Sequence, residues 1–424
     1  MPTRSLLLAH RRAAKPCLSS AEGAFWAQMS ASTDSPIVRR GEREPMQYRR
    51  FGRTNLALSV VTLGGMRFPH GWEQPRTEVP TDMLEECCDS IERAFAAGIN
   101  HIETAQGYGK SEHCYGRALN QELKIPRSSY FFMTKGGPRT GDDVKRSIEE
   151  QLAGLQMDHF DLYAWHGVNS PGTLRDILVK GGPIDVLKSY QEQGIIGSLG
   201  FSTHGGYRTI CEAISTDLFD FVNLHWYYFW QRNWGAIQLA ALHDMGVFII
   251  SPNDKGGNLF NPSELLRELT LPLTPIQFNA RFCLQSPLVH TLSFGMHQPS
   301  HFEEMLGIFP VQSPLSDMET RILSKLDARL DSDPYSRYLG YELEGDPSGI
   351  NIQEVLRFRR LLKCYDMRAF GEYRYNMFSN NDWFGGAFAT PENVAKVELS
   401  KVPKNVPLQA LLTETHNELF KPKK

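Results

Sequence analysis

The sequence predicts an α/β fold, a (β/α)8 TIM barrel followed by a mainly helical C-terminal region. Three observations carry this expectation. First, eight short β-rich apolar runs succeed one another between residues 47 and 310: Ser59–Leu63, His101–Ala105, Tyr130–Thr134, Phe160–Trp165, Ile196–Phe201, Phe219–His225, Val247–Ser251 and Val289–Phe294. Second, amphipathic helical patterns lie between them, notably Met83–Ala97, Asp142–Leu155, Pro183–Gln193 and Trp234–Met245. Strands alternating with helices in this way are the pattern of a parallel barrel. An open doubly wound sheet is the alternative, but it would place a Gly-rich dinucleotide turn after its first strand, and Leu63-Gly64-Gly65-Met66 is not that motif. Third, polar residues fall where the runs end: Glu103, Lys135, His166, Ser202, Asn223 and Ser251. In a barrel these positions converge on one mouth, at the carboxyl ends of the strands.

Composition narrows the function classes. A chain of 424 residues has room for one large domain and a smaller one. A net charge of −3 argues against a general nucleic-acid binder, without excluding a local basic pocket for a phosphate. The 13 histidines show no H-E-x-x-H spacing and the 7 cysteines no C-x-x-C pair, so no metal site is expected. Thiol usage of this kind fits a reducing compartment. No apolar run approaches the roughly 20 residues needed to cross a bilayer, so no membrane association is expected.

Residues 1–45 differ from the rest. They carry Arg4, Arg11, Arg12, Arg39, Arg40 and Arg43, many Ser and Ala, and few acids before Asp34. Two readings stay open: a cleavable transit peptide, or a start assigned upstream of a true beginning at Met46. Both place residues 1–45 outside the fold. The expected location is cytoplasmic, or the plastid stroma or another organelle if the segment is a transit peptide.

The chemistry is concentrated in His101-Ile102-Glu103-Thr104-Ala105-Gln106-Gly107-Tyr108-Gly109. After it come Phe132-Met133-Thr134-Lys135, then Asp161-Leu162-Tyr163-Ala164-Trp165-His166, then Gly194-Ile195-Ile196-Gly197-Ser198-Leu199-Gly200-Phe201-Ser202. This ordered set, over residues 48 to 306, resembles the aldo-keto reductase family. The resemblance implies reduction of an aldehyde or ketone carbonyl, with Tyr108 as proton donor and Lys135, His166 and Glu103 around it. The residue types suit that work. A buried ammonium beside a phenol favours the phenolate, so Lys135 is expected to lower the Tyr108 pKa, and His166 can align the carbonyl. Glu103 stands where the family usually has Asp. A nicotinamide-binding regulatory or scaffold protein with little turnover is the alternative.

The resemblance also implies a nicotinamide cofactor, NADP(H) preferred and NAD(H) as the alternative. By motif position, Gly64, Gly65 and Met66 pass near the nicotinamide, Ser202 and Asn223 bond its carboxamide, and Ser251, Asn253 and Lys255 hold the pyrophosphate. Gly295, His301 and Glu304 belong to the last cofactor segment, where His301 stands in place of an arginine that would grip a 2′-phosphate better. Ile250 stands where many members stack an aromatic ring on the nicotinamide. The run Trp226-Tyr227-Tyr228-Phe229-Trp230 is expected to wall the substrate side.

After Pro310 helical patterns dominate: Ser316–Leu330, Ile352–Tyr365, Met367–Asn376 and Leu408–Leu419. Some aldo-keto reductases end in a ferredoxin-like module with iron–sulfur clusters. The stretches Gly345–Arg357 and Val402–Leu408 resemble the tails of its two cluster motifs. The cluster thiolates are missing, since the region holds only Cys364, so no iron–sulfur cluster is expected. The expected domains are an extension over 1–45, the reductase barrel over 46–312, and a degenerate, cluster-free ferredoxin-like module over 313–424 able to meet a protein partner.

Overall fold

Eight parallel strands close into a barrel in chain order: β3 (Val61–Gly64), β4 (His101–Glu103), β5 (Phe131–Gly136), β6 (Phe160–His166), β7 (Ile196–Ser202), β8 (Phe221–Leu224), β9 (Gly246–Ile249) and β10 (Thr291–Phe294), with β10 pairing back onto β3. The computed structural model describes residues 46–66, 75–342, 346–379 and 383–421. Residues 1–45, and the two readings of them, lie outside the described residues. Among those described, no helix is long and apolar enough to cross a membrane.

Each predicted run contains one barrel strand. The first differs in detail, because Ser59 ends a separate antiparallel hairpin, β1 (Tyr48–Arg50) with β2 (Ala57–Ser59). That hairpin was not anticipated: three-residue strands are too short for alternation to register. Its turn uses Gly52 at φ 52° and Asn55 at φ 59°, and a Cβ at Gly52 would strike the Met245–Gly246 backbone. The turn drives Phe51 into the barrel, where it packs 5.6 Å from the Phe221 ring.

The period-two alternation of the strands then decides what lies above this plug. Inward positions read Met133 then Lys135, Leu162 then Ala164 then His166, and Phe221 then Asn223. The first member of each set joins Phe51, Leu58 and Phe248 in one buried apolar cluster. The last member emerges at the mouth. The outer helices bury their apolar faces on the strands; Gly141–Leu155, for example, starts with a reciprocal capping box between Thr140 and Asp143.

Beyond the barrel come helices Asp317–Asp331, Ile352–Tyr365, Arg368–Tyr375 and Leu408–Leu419, close to the four predicted. Residues Glu44–Lys424 form one compact unit. The C-terminal helices are bound to the barrel by both rings and hydrogen bonds. Tyr228 Oη lies 3.0 Å from Tyr365 Oη and donates to Asp327 Oδ1 at 3.0 Å. Ser263 Oγ donates to Tyr365 O at 2.6 Å, and Arg357 Nη1 to Lys255 O at 3.1 Å.

Two tests follow from this packing. Tyr365 is buried against Tyr228 and Phe229, so Tyr365→Ala should cost about 3–5 kcal/mol in urea unfolding. Burial holds the His101 imidazole at a pKa of about 3, and His290 is lowered to about 4, again chiefly by burial. Both stay neutral when folded and take up protons near 6.5 when unfolded. Stability from these groups is therefore complete above pH 6.5 and declines as pH falls toward 4, by up to about 1.4 kcal/mol per pH unit for each histidine. Urea midpoints should drop between pH 7 and pH 5.5, above the main carboxylate range; unchanged midpoints would show that neither imidazole is held neutral.

Candidate active site

Strand register brings the predicted residues to one rim. Glu103 is beside Gly64 and Met133, Lys135 beside Ala164, His166 beside Ser202, and Ser202 beside Asn223. Lys135 and Glu103 form an ion pair, both nearly inaccessible to solvent. Lys135 Nζ also donates to Thr104 O at 2.7 Å. The other Glu103 oxygen accepts from Ser293 Oγ at 2.8 Å. Gly64 makes room for this carboxylate: a Cβ there would sit 2.7 Å from Ser293 Oγ and 3.1 Å from Glu103 Oε1.

The Lys135 ammonium lies 5.0 Å from the centroid of the Tyr108 ring, and the Tyr108 and His166 rings meet edge to face at 5.8 Å. Tyr108, Lys135, His166 and Glu103 are thus one cluster. One expectation changes. Burial, and then the Glu103 charge, push the Tyr108 phenol well above its ordinary pKa, where proximity to Lys135 was expected to lower it. The ammonium sits over the ring face and spends its charge on Glu103 rather than on the hydroxyl. Burial, aided by Lys135 and Lys255, lowers His166 to about 3, so it is neutral.

A cleft beside this cluster is lined by Gly64, Met66, Tyr108, Ser251, Asn253 and Gly295, together with Ile250 and Phe260. Both side-chain polar atoms of Asn253, which lines the cleft, are buried without a protein partner, as is Asn223 Oδ1 at the end of β8. A group rich in hydrogen-bonding atoms, such as a nicotinamide nucleotide, fits such orphans. Ser202 Oγ accepts from Gly167 N at 3.2 Å. Gly65 is buried beneath the cleft, its N–H bonded to Glu103 O at 2.9 Å.

Other predicted residues face elsewhere. Lys255 Nζ lies 4.7 Å from the Trp383 ring centroid and 3.4 Å from His204 Nε2, drawn toward the C-terminal region. The turn at 251–257 is closed on itself, with Lys255 N–H bonded to Ser251 O at 3.0 Å and Gly257 N–H to Asp254 O at 3.1 Å. His301 packs against Phe260, its ring tilted, with centroids 4.4 Å apart. Glu304 accepts from Thr274 Oγ1 and is not among the residues lining the cleft.

The expected aromatic wall is also displaced. Trp226 stacks on Trp234 and Phe282, and Tyr228 and Phe229 meet Tyr365; none of the five lines the cleft. Tyr228 and Phe229 serve the seam with the C-terminal helices. Tyr227 and Trp230 return to the mouth, both against His225, with Trp230 stacked on it at 4.8 Å.

Sequence reasoning missed a hydrogen-bonded chain at this rim. Tyr227 Oη donates to Ile250 O at 2.7 Å, so His225 Nδ1 must donate to Tyr227. His225 Nε2 then accepts from His204 Nδ1 at 2.6 Å. Burial keeps both imidazoles well below their ordinary pKa. Trp383, from the C-terminal region, packs on His204 at 4.3 Å. The only available signal was position, since His204 and His225 each follow a strand end. Among the described residues no cluster of His, Cys, Asp or Glu could hold a metal.

Comparison with known proteins agrees with this geometry. The family model described as "Aldo/keto reductase family" matches residues 60–259. Methylglyoxal reductase DkgA of Escherichia coli is 32% identical over 215 residues, covering 48% of this chain and 73% of that protein. D-arabinose 1-dehydrogenase of Saccharomyces cerevisiae is 32% identical over 155 residues, 34% of this chain, and the match spans only 43% of that relative's length. In fold, the chain is similar to the aldo-keto reductase AKR11C1 of Bacillus halodurans, with a TM-score of 0.54 at 19% identity, covering 66% of this chain and 96% of that one. A barrel with this ordered rim, and a match at this level across most of a curated reductase, places the chain in the aldo/keto reductase family.

Proposed function

We propose that the protein reduces an aldehyde or ketone to an alcohol with NAD(P)H, and that Tyr108 donates the proton. The observation that carries this is the cluster itself, with Tyr108 held between the Lys135 ammonium and the His166 ring. When bound, the reduced nicotinamide supplies the hydride. Gly64, Met66, Asn223, Ser251, Asn253 and Gly295 are the residues that would hold it. Neutral His166 offers one ring N–H to the carbonyl oxygen and fixes its approach to Tyr108. A phenol with a raised pKa stays protonated throughout the physiological range. It remains a sufficient acid, because an alkoxide is a far stronger base than a phenolate. Glu103 keeps Lys135 against the face of the Tyr108 ring, which holds the phenol in position.

NADP(H) is the preferred cofactor in this reading and NAD(H) the alternative, since His301 is a weaker phosphate partner than arginine. The name of the E. coli relative makes methylglyoxal a trial substrate. We read residues 313–424 as a cluster-free remnant of a ferredoxin-like module. Supporting this, the motif-like stretches lead directly into helices Ile352–Tyr365 and Leu408–Leu419, which pack on each other.

One observation favours the second reading, a nicotinamide-binding protein with little turnover: Lys255 is engaged by His204 and Trp383 rather than turned into the cleft. Turnover separates the two. With NADPH and methylglyoxal or an aromatic aldehyde, Tyr108→Phe should lower kcat by about 10²–10⁴-fold with little change in NADPH affinity. Lys135→Met should also lower kcat. Equal rates for Tyr108→Phe and wild type would remove Tyr108 as the acid, and saturable NADPH binding without turnover of any carbonyl would favour the regulatory reading.

A further inference from the structure

A second cavity, of about 170 Å3 and open to solvent, lies where the loop after β8 meets helix Ile352–Tyr365. It shares no lining residue with the cleft around Tyr108. Its walls carry Arg232, Arg337, Arg357 and Arg360, with Glu354 as the lining carboxylate. Arg357 binds Glu354 Oε2 through Nη2 at 2.9 Å, and Arg232 lies 3.6 Å from Glu354 Oε1. Arg337 is paired outward with Asp331 at 2.9 Å. Arg360 donates to Phe229 O at 3.3 Å and has no carboxylate partner among the described residues.

Three guanidinium groups, on Arg232, Arg357 and Arg360, therefore face one lining carboxylate, Glu354, which pairs with the first two. Glu342 attracts Arg232 from further away, and its carboxylate is bonded by Arg208 N–H at 3.2 Å. Four buried polar atoms of these lining residues also have no hydrogen-bond partner: the donors Arg232 Nε, Trp230 Nε1 and Tyr338 Oη, and the acceptor Glu354 Oε1, 3.6 Å from Arg232. Surplus cationic charge together with orphaned donors in one enclosed space is an anion site in waiting.

We propose that this cavity binds a phosphomonoester dianion carried on a small apolar or aromatic group. A surplus of two positive charges matches the charge of about −1.5 to −2 on a phosphomonoester near neutrality. Guanidinium forks match its oxygens pairwise. The rings of Tyr228, Trp230 and Tyr338 supply apolar wall beside them, and the volume exceeds what a bare ion needs. The inference stands apart from the reductase reading, since no residue of the catalytic cluster lines this cavity.

Isothermal titration of the full chain with phenyl phosphate tests it, at constant ionic strength and with NADPH both absent and saturating. The expected result is saturable one-site binding in both conditions, with Kd below about 1 mM. Inorganic phosphate should bind more weakly, and benzoate at least tenfold more weakly than phenyl phosphate. Arg360→Met should weaken phenyl phosphate at least tenfold and Arg360→Lys by less. Should Arg360→Met not fold, Tyr338→Phe, which removes one orphaned hydroxyl, should weaken binding severalfold. No saturable binding to the wild type would overturn the proposal. So would affinity unchanged in the folded variants, binding lost when NADPH saturates, or benzoate equal to phenyl phosphate.

Discussion

The mouth of the barrel is organised by the buried ion pair between Lys135 and Glu103. Burying two charges costs several kcal/mol each, and their attraction repays this only when geometry and extra hydrogen bonds are good. Both conditions hold here. Glu103 is bonded by Ser293 as well as Lys135, and Lys135 reaches Thr104 O. The pair joins four strands, because Glu103 ends β4, Lys135 lies on β5, Ser293 on β10, and Gly64 on β3 supplies the missing Cβ. Removing one partner would leave an uncompensated buried charge, typically a loss of 3–5 kcal/mol. The same pair places an ammonium under the Tyr108 ring and helps to keep His166 neutral.

The C-terminal region supplies a second constraint on that mouth. Trp383 packs on His204 and on the Lys255 ammonium, and Arg357 bonds the backbone of Lys255. The His204–His225–Tyr227 chain carries this contact inward and ends on the carbonyl of Ile250, which lines the cleft. Each hydrogen bond in the chain fixes the tautomer of the next group, so the chain has one consistent direction. The barrel rim and the C-terminal helices therefore share polar partners as well as apolar packing.

Much of this was legible in the sequence, for a physical reason. A parallel barrel strand is buried on both faces, so it reads as a short apolar run even without alternation. All eight runs stood out that way, and polar residues at or near the ends of six of them marked the rim. Glu103, Lys135 and His166 could be placed at the rim because strand ends leave little freedom, while Tyr108 was placed by the family resemblance. Lys255, His301 and Glu304 lie on loops or a helix start, where direction depends on tertiary neighbours. Phe260, Trp383 and Thr274 are remote in sequence, and local pattern does not encode the contacts that turned those three side chains. The Tyr108 pKa was misjudged similarly: proximity to Lys135 was readable, but not that the ammonium would face the ring and give its charge to Glu103. The aromatic run after β8 was misplaced because apolar rings serve a domain seam as readily as a substrate wall.

Net charge proved a poor guide to local field. The chain carries −3 overall, yet Lys135 lies in the barrel mouth, and Lys255, Arg357 and Arg374 gather where that mouth meets the C-terminal region. Burial lowers the His166, His204 and His225 pKa values, and these cations lower them further. Protonating any one of these rings would add a cation to an enclosed space that already holds several, so the imidazoles remain neutral. The physics that forbids another positive charge there favours a negative one, because both effects scale with the same low local dielectric. A dinucleotide in the cleft and a phosphomonoester in the arginine-lined cavity would each relieve that excess.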